Sequence, residues 1–229
     1  MNRNFTAICA AFLMCAILIV FYGSTAINKS TSAFAESDAQ NVIYLTFDDG
    51  PSDKVTPKIL DVLKEENVKA TFFIVGKNAK TRKYLLRREA EEGHTVAVHS
   101  YSHDYKDIYS SPDKLLADID KCNEVIKSAL GKTSNLYRFP GGSFNLSQNL
   151  IDAVVERGIK YIDWNASTRD AELYRPAASD IVQAALTTPA NKKNIVLLAH
   201  DTTDKTATAD ALKTIIKYYK ELNYVFRAF

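Results

Sequence analysis

Two aspartates, Asp48 and Asp49, stand side by side in a T-F-D-D-G-P run that closes the first apolar segment after residue 41. Adjacent carboxylates disfavour each other's ionisation, so a cation is expected near at least one of them. Because adjacent residues can point to different partners, the pair could fill two separate roles in one site. A D-D-G-P sequence is also favourable in a simple turn, so the pair alone leaves both a turn and a site open.

Two histidines at a spacing of four residues, His99 and His103, add a pattern that is typical of metal sites. An H-x-x-x-H pair can bind one metal ion from a single turn of helix or from a tight loop. Two neighbouring surface histidines are the alternative interpretation. Together with a carboxylate from the aspartate pair, the histidines give three protein ligands and leave one position for water, as catalytic zinc sites require.

Three later segments also carry ionisable side chains. Arg138 precedes a P-G-G-S turn and could be the cation that the aspartates need, or a solvent-facing residue at a structural turn. Asp163 precedes Trp164, the only tryptophan of the chain. His200 follows an apolar run, and Asp163 beside it would raise its pKa and suit it to act as a general acid.

The elements that must position these residues alternate between apolar strands and amphipathic helices. Gly93, Gly131 and Gly158 stand where helices end in a left-handed residue. The alternation predicts a parallel sheet, and six or seven such units indicate a barrel related to the TIM barrel, with its chemistry at the C-terminal ends of the strands. The predicted strands are 42–47, 70–75, 95–98, 136–138, 160–163, 194–198 and 224–228, and the predicted helices are 55–66, 81–92, 112–130, 147–157, 179–188 and 206–222.

Residues 1–35 are predicted to form a targeting segment. Arg3 precedes an apolar run at 5–22, and an A-x-A pattern ends at Ala35, as in a secretory signal peptide. The run also reaches the minimum length of a bilayer-spanning helix, so an uncleaved membrane anchor is the alternative. Either interpretation places residues 36–41 as a linker and 42–229 as one exported domain, extracellular or held at the cell wall or outer membrane face.

Charge and cysteine content narrow the functional classes. Arg3 and Lys29 account for the excess of 29 basic over 27 acidic residues, which leaves a neutral domain with no electrostatic argument for nucleic-acid binding. Cys9 and Cys15 fall in the targeting segment, so Cys122 remains alone and the exported domain has no internal disulfide. Cys122 is predicted to be a buried, small apolar side chain.

Taken together, the five strand-end segments resemble the polysaccharide deacetylases with the nodulation-deacetylase homology domain, carbohydrate esterase family 4. The T-F-D-D-G-P and H-S-x-x-H motifs match in full, and R-F-P-G-G-S, D-W and L-x-H-D match the other three in order. The resemblance covers residues 42–229 and implies a distorted, TIM-like (β/α)7 barrel in a single domain. It implies a hydrolase that removes N-acetyl groups from N-acetylglucosamine-type sugars of a polysaccharide and releases acetate.

The resemblance also implies the metal ligands and the cofactor. Asp49, His99 and His103 match the ligand positions of the family. A borderline ion suits one carboxylate and two imidazoles, so zinc is the expected cofactor, with cobalt or another divalent ion as alternatives.

The proton-transferring residues follow from the same motifs. Asp48 matches the general base and Arg138 the residue that holds it. His200 matches the general acid, and Asp163 the carboxylate that tunes it.

The remaining matched positions are implied to bind substrate. The N–H of Gly141 resembles an oxyanion donor, and Trp164 and Leu198 resemble residues that line the groove for the sugar and its acetyl methyl group. Many relatives read R-P-P-Y/W-G in the third motif, whereas Phe139 and Gly141 stand here, so one aromatic wall of the usual groove is missing. Val98 replaces a frequent asparagine, for which only a packing difference is expected.

Several functional alternatives remain at this level. The expected substrate is peptidoglycan N-acetylglucosamine, and N-acetylmuramic acid, chitin oligomers, poly-N-acetylglucosamine and O-acetyl xylan are alternatives. A serine esterase would need a G-x-S-x-G elbow, which the chain lacks. A glycosidase in a similar barrel would need two carboxylates across a cleft. A glycan-binding surface protein without activity is the non-enzymatic alternative. Beyond the polysaccharide and a membrane contact through the N-terminal segment, no partner is expected.

Overall fold

Residues 40–229 are described in a computed structural model, and in this region eight parallel strands form one sheet. The central strands are nearly continuous buried apolar runs, as expected for a parallel sheet that is covered on both faces. The predicted targeting segment lies outside these residues. The strands are β1 (Val42–Asp48), β2 (Thr71–Val75), β3 (Thr95–Ser100), β4 (Leu136–Tyr137), β5 (Lys160–Tyr161), β6 (Ala166–Ser167), β7 (Asn194–His200) and β8 (Val225–Arg227).

Helices connect successive strands except β5 and β6, and the six predicted helices are confirmed to within two residues at each end. Gly93, Gly131 and Gly158 follow helices in the left-handed conformation, as predicted. Two helices of four residues each, Gly76–Ala79 and Tyr105–Ile108, were not predicted because one turn of helix shows no periodicity. The helices are α1 (Thr56–Glu65), α2 (Gly76–Ala79), α3 (Lys83–Glu91), α4 (Tyr105–Ile108), α5 (Pro112–Leu130), α6 (Gln148–Glu156), α7 (Ala178–Thr187) and α8 (Thr206–Glu221).

The strand order is β5-β4-β3-β2-β1-β7-β6, which confirms a curled, TIM-like (β/α)7 architecture. The seventh barrel strand is β6, which was not predicted because two residues carry no pattern. The predicted strand at 224–228 is instead β8, which pairs with residues 42–44 of β1, whereas β2 pairs with residues 46–48. β5 and β6 end the strand order without pairing to each other, so hydrogen bonds do not close the barrel there.

The core lies between the sheet and the surrounding helices. Cys122 on α5 is fully buried, as predicted, and its thiol donates to the Ile74 carbonyl at 3.3 Å. Within residues 40–229, no helix is both long enough and apolar enough to cross a membrane.

Candidate metal centre and active site

The pairing of β1 with β7 brings two candidate residues side by side at the C-terminal end of the sheet. Asp48 is the register partner of His200, and Thr46 that of Leu198. Because side chains alternate along a strand, these four residues point to the same face of the sheet. The Asp48 carboxylate and the His200 imidazole therefore lie at the C-terminal mouth of the barrel, where the chemistry of parallel barrels is expected.

Asp49, His99 and His103 come together as a candidate metal site. Asp49 Oδ1 lies 3.4 Å from Nε2 of His99 and 3.0 Å from Nε2 of His103. One ligand atom from each residue lies within 4.8 Å of the others. These are the three residues that the sequence motifs assign to the metal.

The chemistry of these three groups fits a divalent cation. Asp49 Oδ1 is buried, and its contacts with the imidazoles lack hydrogen-bond geometry, so it has no hydrogen-bond partner within residues 40–229. Nδ1 of His99 lies 2.8 Å from the Arg138 carbonyl, which can only accept. His99 therefore carries its proton on Nδ1 and presents the Nε2 lone pair towards Asp49, the tautomer of a metal ligand.

Electrostatics keeps the aspartate of this set ionised. Burial opposes ionisation of Asp49, but the neighbouring imidazoles of His103 and His99 outweigh it and hold the pKa of Asp49 well below its usual range. The contact with Asp49 in turn raises the pKa of His103, against the effect of burial. The site thus favours one negative charge among groups that can share a cation.

Backbone contacts fix Asp49 in a left-handed conformation, with φ of 73°. The Asp49 N–H donates to the Phe73 carbonyl at 3.2 Å, and Asn78 Nδ2 donates to the Asp49 carbonyl at 2.8 Å. Aspartate tolerates this backbone region better than most residues. These bonds turn the Asp49 side chain towards the histidines and away from the partner of Asp48.

Asp118, on α5, holds the loop that carries the two histidines. Its carboxylate accepts from Ser100 Oγ at 2.5 Å, from the Tyr101 N–H at 2.7 Å and from the Ser102 N–H at 2.9 Å. Ser100 Oγ in turn accepts from the His103 N–H at 2.8 Å. These bonds hold the segment between His99 and His103, directly or through Ser100 Oγ. Asp118 therefore sets the loop geometry of the candidate metal site. The sequence analysis did not select Asp118.

Arg138 lies inside the barrel and pairs with Asp48, as the sequence resemblance implies. Its side chain is fully buried, and Nη1 donates to Asp48 Oδ1 at 2.9 Å and to Thr46 Oγ1 at 2.7 Å. Nε donates to the Ile162 carbonyl at 2.9 Å, and the guanidinium stacks on the Phe73 ring at 4.1 Å. A buried charge needs such partners, so the alternative of a solvent-facing arginine is wrong.

The carboxylate beside His200 is Asp170, and the prediction that Asp163 holds this imidazole is wrong. His200 Nδ1 lies 2.7 Å from Asp170 Oδ1, and the His200 N–H donates to Asp170 Oδ2 at 2.8 Å. Thr208 Oγ1 also donates to Asp170 at 2.8 Å. Burial alone would lower the pKa of His200, but Asp170, with Asp48 and Asp49, raises it to about 9.

Asp163 instead anchors the P-G-G-S turn. Its Oδ1 accepts from the Ser143 N–H at 3.0 Å and its Oδ2 from Ser143 Oγ at 2.5 Å, so both oxygens are occupied. The Asp163 carbonyl accepts from Arg138 Nη2 at 3.4 Å. Asp163 therefore belongs to the site as a support for the turn that carries Gly141.

The substrate-binding candidates lie around this turn. Gly141 is exposed with φ of 77°, and its N–H donates no hydrogen bond within residues 40–229. Trp164 is half-buried, and its ring meets the Phe144 ring edge-on at 5.4 Å. Leu198 is buried on β7. These positions are compatible with a groove, while their contacts with substrate stay predictions.

The two departures from the family motifs have different consequences in the structure. Phe139 is fully buried and packs edge-on against Tyr137 and Tyr161, so it belongs to the core and does not line a groove. Val98 is fully buried on β3, in agreement with a packing difference.

Asp118 and Asp170 were not predicted as site residues, and only Asp118 has a signal in the sequence. Asp118 occupies the apolar face of α5, three residues after Leu115 and four before Cys122, and a charged residue on such a face is a reason to look for a partner. Asp170 follows the two-residue strand β6, and no pattern marks that strand. Asp163, which belongs to the D-W motif, was assigned to His200 in place of Asp170.

Known proteins are similar to this chain in sequence and in fold. The family model described as polysaccharide deacetylase matches residues 35–162. A peptidoglycan-N-acetylglucosamine deacetylase of Bacillus cereus is 35% identical, over 88% of this chain and 74% of that protein. A peptidoglycan-N-acetylmuramic acid deacetylase of Bacillus subtilis is 30% identical, over 88% and 75%. The catalytic domain of a peptidoglycan N-acetylglucosamine deacetylase from Eubacterium rectale superposes with a TM-score of 0.78 at 35% identity, over 84% and 90%.

Proposed function

Since the chain belongs to the polysaccharide deacetylase family of metal-dependent hydrolases that act on N-acetyl groups, we propose that it deacetylates N-acetylglucosamine in peptidoglycan. The observation that carries this proposal is the convergence of three groups at one end of the barrel. These are the metal-ligand set around Asp49, the Arg138–Asp48 pair and the Asp170–His200 pair. Amide hydrolysis needs a polarised carbonyl, a base and an acid, and each group supplies one of these.

Zinc is the cofactor that we propose, with cobalt(II) as the nearest substitute. A site of one carboxylate and two imidazoles suits borderline divalent ions, and three protein ligands are the usual number at a catalytic zinc. Held by Asp49, His99 and His103, such an ion would polarise the acetyl carbonyl and lower the pKa of water.

Asp48 is the proposed general base. Arg138 orients it through Oδ1, and Oδ2 has no hydrogen-bond partner within residues 40–229. Oδ2 can therefore accept a proton from the attacking water as the carbon–oxygen bond forms. The Gly141 N–H donates to the oxyanion that develops on the acetyl oxygen. Asp163 maintains this donor by fixing Ser143, two residues further along the turn.

His200 is the proposed general acid. Asp170 binds Nδ1, which leaves Nε2 to give its proton to the sugar nitrogen as the carbon–nitrogen bond breaks. The Nε2 atom lies 4.0 Å from Asp49 Oδ2, so the proposed acid stands beside the candidate metal ligands, and its register partner is the proposed base, Asp48. One water added to one amide gives acetic acid and an amine, and transfer of the acid proton to the amine leaves acetate and a protonated amino sugar.

The proposed substrate requires a location outside the cytoplasmic membrane. The predicted targeting segment at 1–35 would provide export, either as a cleaved signal peptide or as a membrane anchor. A near-neutral domain suits an uncharged acetamido group as the reacting part of the substrate. The similarity to proteins named for both peptidoglycan sugars supports a cell-wall glycan as the substrate class.

Mass spectrometry of defined glycans tests the proposal. Zinc-loaded protein is incubated with peptidoglycan fragments, chitin oligomers, poly-N-acetylglucosamine and acetylated xylan, and each product is scored for loss of ~42 Da per acetyl group removed by metal-activated hydrolysis. We expect loss at N-acetylglucosamine of the peptidoglycan fragments. Loss only at N-acetylmuramic acid, or loss from another glycan without loss from the peptidoglycan fragments, would change the substrate, and no acetate from any glycan would contradict the proposed function.

Two controls separate the competing enzyme classes. A chelator should abolish acetate release and zinc should restore it, whereas a serine esterase would resist chelation. New reducing ends without acetate would indicate a glycosidase.

Asp48→Asn should lower turnover about 10²- to 10⁴-fold while zinc still binds. Asp152→Asn, which changes an exposed aspartate on α6, should have no effect on turnover. Glycan binding without turnover by the zinc-loaded wild type would support the non-enzymatic alternative.

A further inference from the structure

We propose that Tyr105 is a substrate-binding residue, whose ring packs against the sugar that carries the acetyl group and whose hydroxyl bonds to that sugar. This inference rests on the proposed function and names a residue that none of the five motifs includes. It also identifies what takes the place of the aromatic wall that Gly141 lacks.

The position of Tyr105 is fixed beside a metal ligand. Tyr105 is the first residue of α4, and Asp104 before it accepts hydrogen bonds from the Lys106 and Asp107 N–H groups. Its ring meets the His103 ring edge-on, with 5.2 Å between the centroids. A second edge-on contact, at 5.9 Å, joins it to Tyr109. Because a packed ring loses little further entropy on binding, Tyr105 is a preorganised surface next to His103.

The same ring covers the turn that presents the candidate oxyanion donor. A Cβ atom on Gly141 would lie 3.1 Å from Cε1 of Tyr105 and 3.4 Å from its hydroxyl oxygen. Tyr105 therefore occupies the space into which a side chain at residue 141 would project. The aromatic surface at this point of the mouth is provided by α4, and the turn itself needs glycine for both φ and space.

The exposure of Tyr105 leaves both its ring face and its hydroxyl accessible. The residue is 46% exposed, although it packs against the His103 and Tyr109 rings and the turn at Gly141. Its hydroxyl has no hydrogen-bond partner within residues 40–229, whereas the neighbouring Tyr109 hydroxyl donates to the Pro140 carbonyl at 2.7 Å. An aromatic surface with one unpaired polar group is the usual lining of a small-molecule site.

The opposite side of the turn carries a second aromatic surface. Phe144 is 62% exposed, and a Cβ atom on Gly142 would contact both the Phe144 and the Trp164 rings. The two glycines thus separate Tyr105 from the Phe144–Trp164 pair. A pyranose that places its acetyl group at Gly141 would have an aromatic ring on each side, and Tyr105 is the one next to the metal ligands.

Steady-state kinetics on zinc-loaded protein tests the proposal with chitopentaose as the substrate. Tyr105→Phe removes only the hydroxyl and should raise KM about 2- to 10-fold. Tyr105→Ala removes the ring as well and should raise KM by about 10-fold or more, with kcat changed by less than KM. Tyr84→Ala, a similarly exposed tyrosine on α3, is the matched control and should leave both constants unchanged.

A binding assay separates this inference from the catalytic proposal. In the Asp48→Asn background, the fluorescence of Trp164, the single tryptophan, reports chitopentaose binding without turnover. Tyr105→Ala should weaken that binding as it raises KM, while zinc affinity by calorimetry stays within about twofold of the parent. Unchanged chitopentaose affinity, or no chitopentaose binding by the parent, would overturn the inference. Equal losses of zinc and glycan affinity would make Tyr105 a support for His103 and would overturn it as well. Failure of acetate release alone would contradict only the proposed function.

Discussion

The Asp170–His200 pair predicts a specific pH dependence of folding stability, which Asp170→Asn should remove. Asp170 binds both Nδ1 and the backbone N–H of His200, so the substitution leaves an isosteric side chain but takes away the negative charge. His200 remains buried without that charge, and its protonated form is no longer favoured. The perturbation is therefore electrostatic and confined to one pair.

The magnitude follows from the pKa of His200. That pKa is about 9 in the folded protein, against 6.5 for an ordinary histidine. A difference of this size corresponds to about 3 kcal/mol of stability. Because the pKa is raised by folding, the contribution is complete below pH 6.5 and is lost as the pH rises through 9.

Urea unfolding of the metal-free protein, with a chelator present, measures this contribution. The free energy of unfolding is determined for wild type and Asp170→Asn at pH 6 and at pH 10. Other titrating groups affect both proteins alike and cancel in the difference. We expect the difference between the two proteins to shrink by about 3 kcal/mol from pH 6 to pH 10. Asp152→Asn serves as the control for an exposed aspartate and should give a constant small difference.

A difference that does not change between pH 6 and pH 10 would refute the reasoning. It would mean that Asp170 stabilises the protein through its bonds to Thr208 and to the His200 backbone, and that the His200 ring does not carry the charge. A metal-free NMR titration of His200 would show the same directly, as a pKa that Asp170→Asn leaves unchanged.

Three other substitutions test the surroundings of the site. Asp118→Asn should weaken zinc binding about 10- to 100-fold, because it breaks the support of the histidine loop; chelator competition measures this, and an unchanged affinity would contradict it. Arg138→Met should lower the free energy of unfolding by about 3–5 kcal/mol, because Asp48 stays buried without its partner; urea unfolding should show partial recovery in the double variant with Asp48→Asn. The Glu89 carboxyl is fully buried and has no hydrogen-bond partner within residues 40–229, and burial, with Asp201, raises its pKa. Glu89→Leu should therefore raise the free energy of unfolding by about 1–3 kcal/mol. Unfolding ionises Glu89 above pH 4.5, so the gain should be larger at pH 7 than at pH 4, and an equal gain at both would be evidence against this explanation.

The strands and helices with a strong period could be predicted from the sequence, and with them the positions of the candidate metal ligands and of the proposed base. β1, β3 and β7 are apolar runs, and the residues that end them are ionisable, so the barrel rule alone brings Asp48, Asp49, His99 and His200 to one mouth. The charge that the aspartate pair required made Arg138 a candidate, and the family resemblance implied its pairing with Asp48. These predictions succeeded because each depends on a local pattern and one general rule of topology.

The partners of the site could not be predicted in the same way. Asp170 lies 30 residues before His200 and follows a strand of two residues, so neither spacing nor periodicity connects them. Asp118 contacts the histidine loop from α5. Tyr105, at the start of α4, lies beside Gly141, which follows β4. A pattern in the sequence shows which face of an element is buried, but the contact between two buried faces depends on the packing of the whole domain.

The unpaired edge between β5 and β6 lies among the shortest strands of the sheet. β4, β5 and β6 have two residues each, and β5 does not pair with β6. Arg138 spans the interior from this part of the sheet, since its Nε donates to the Ile162 carbonyl just beyond β5 and its Nη1 donates to Thr46 Oγ1 on β1. A barrel with long strands on every side would fill its interior with apolar side chains. The short strands instead let a buried guanidinium cross the interior, and it is this guanidinium that holds Asp48. Arg138 therefore connects the side of the sheet with the short strands to Asp48, the proposed general base, on β1.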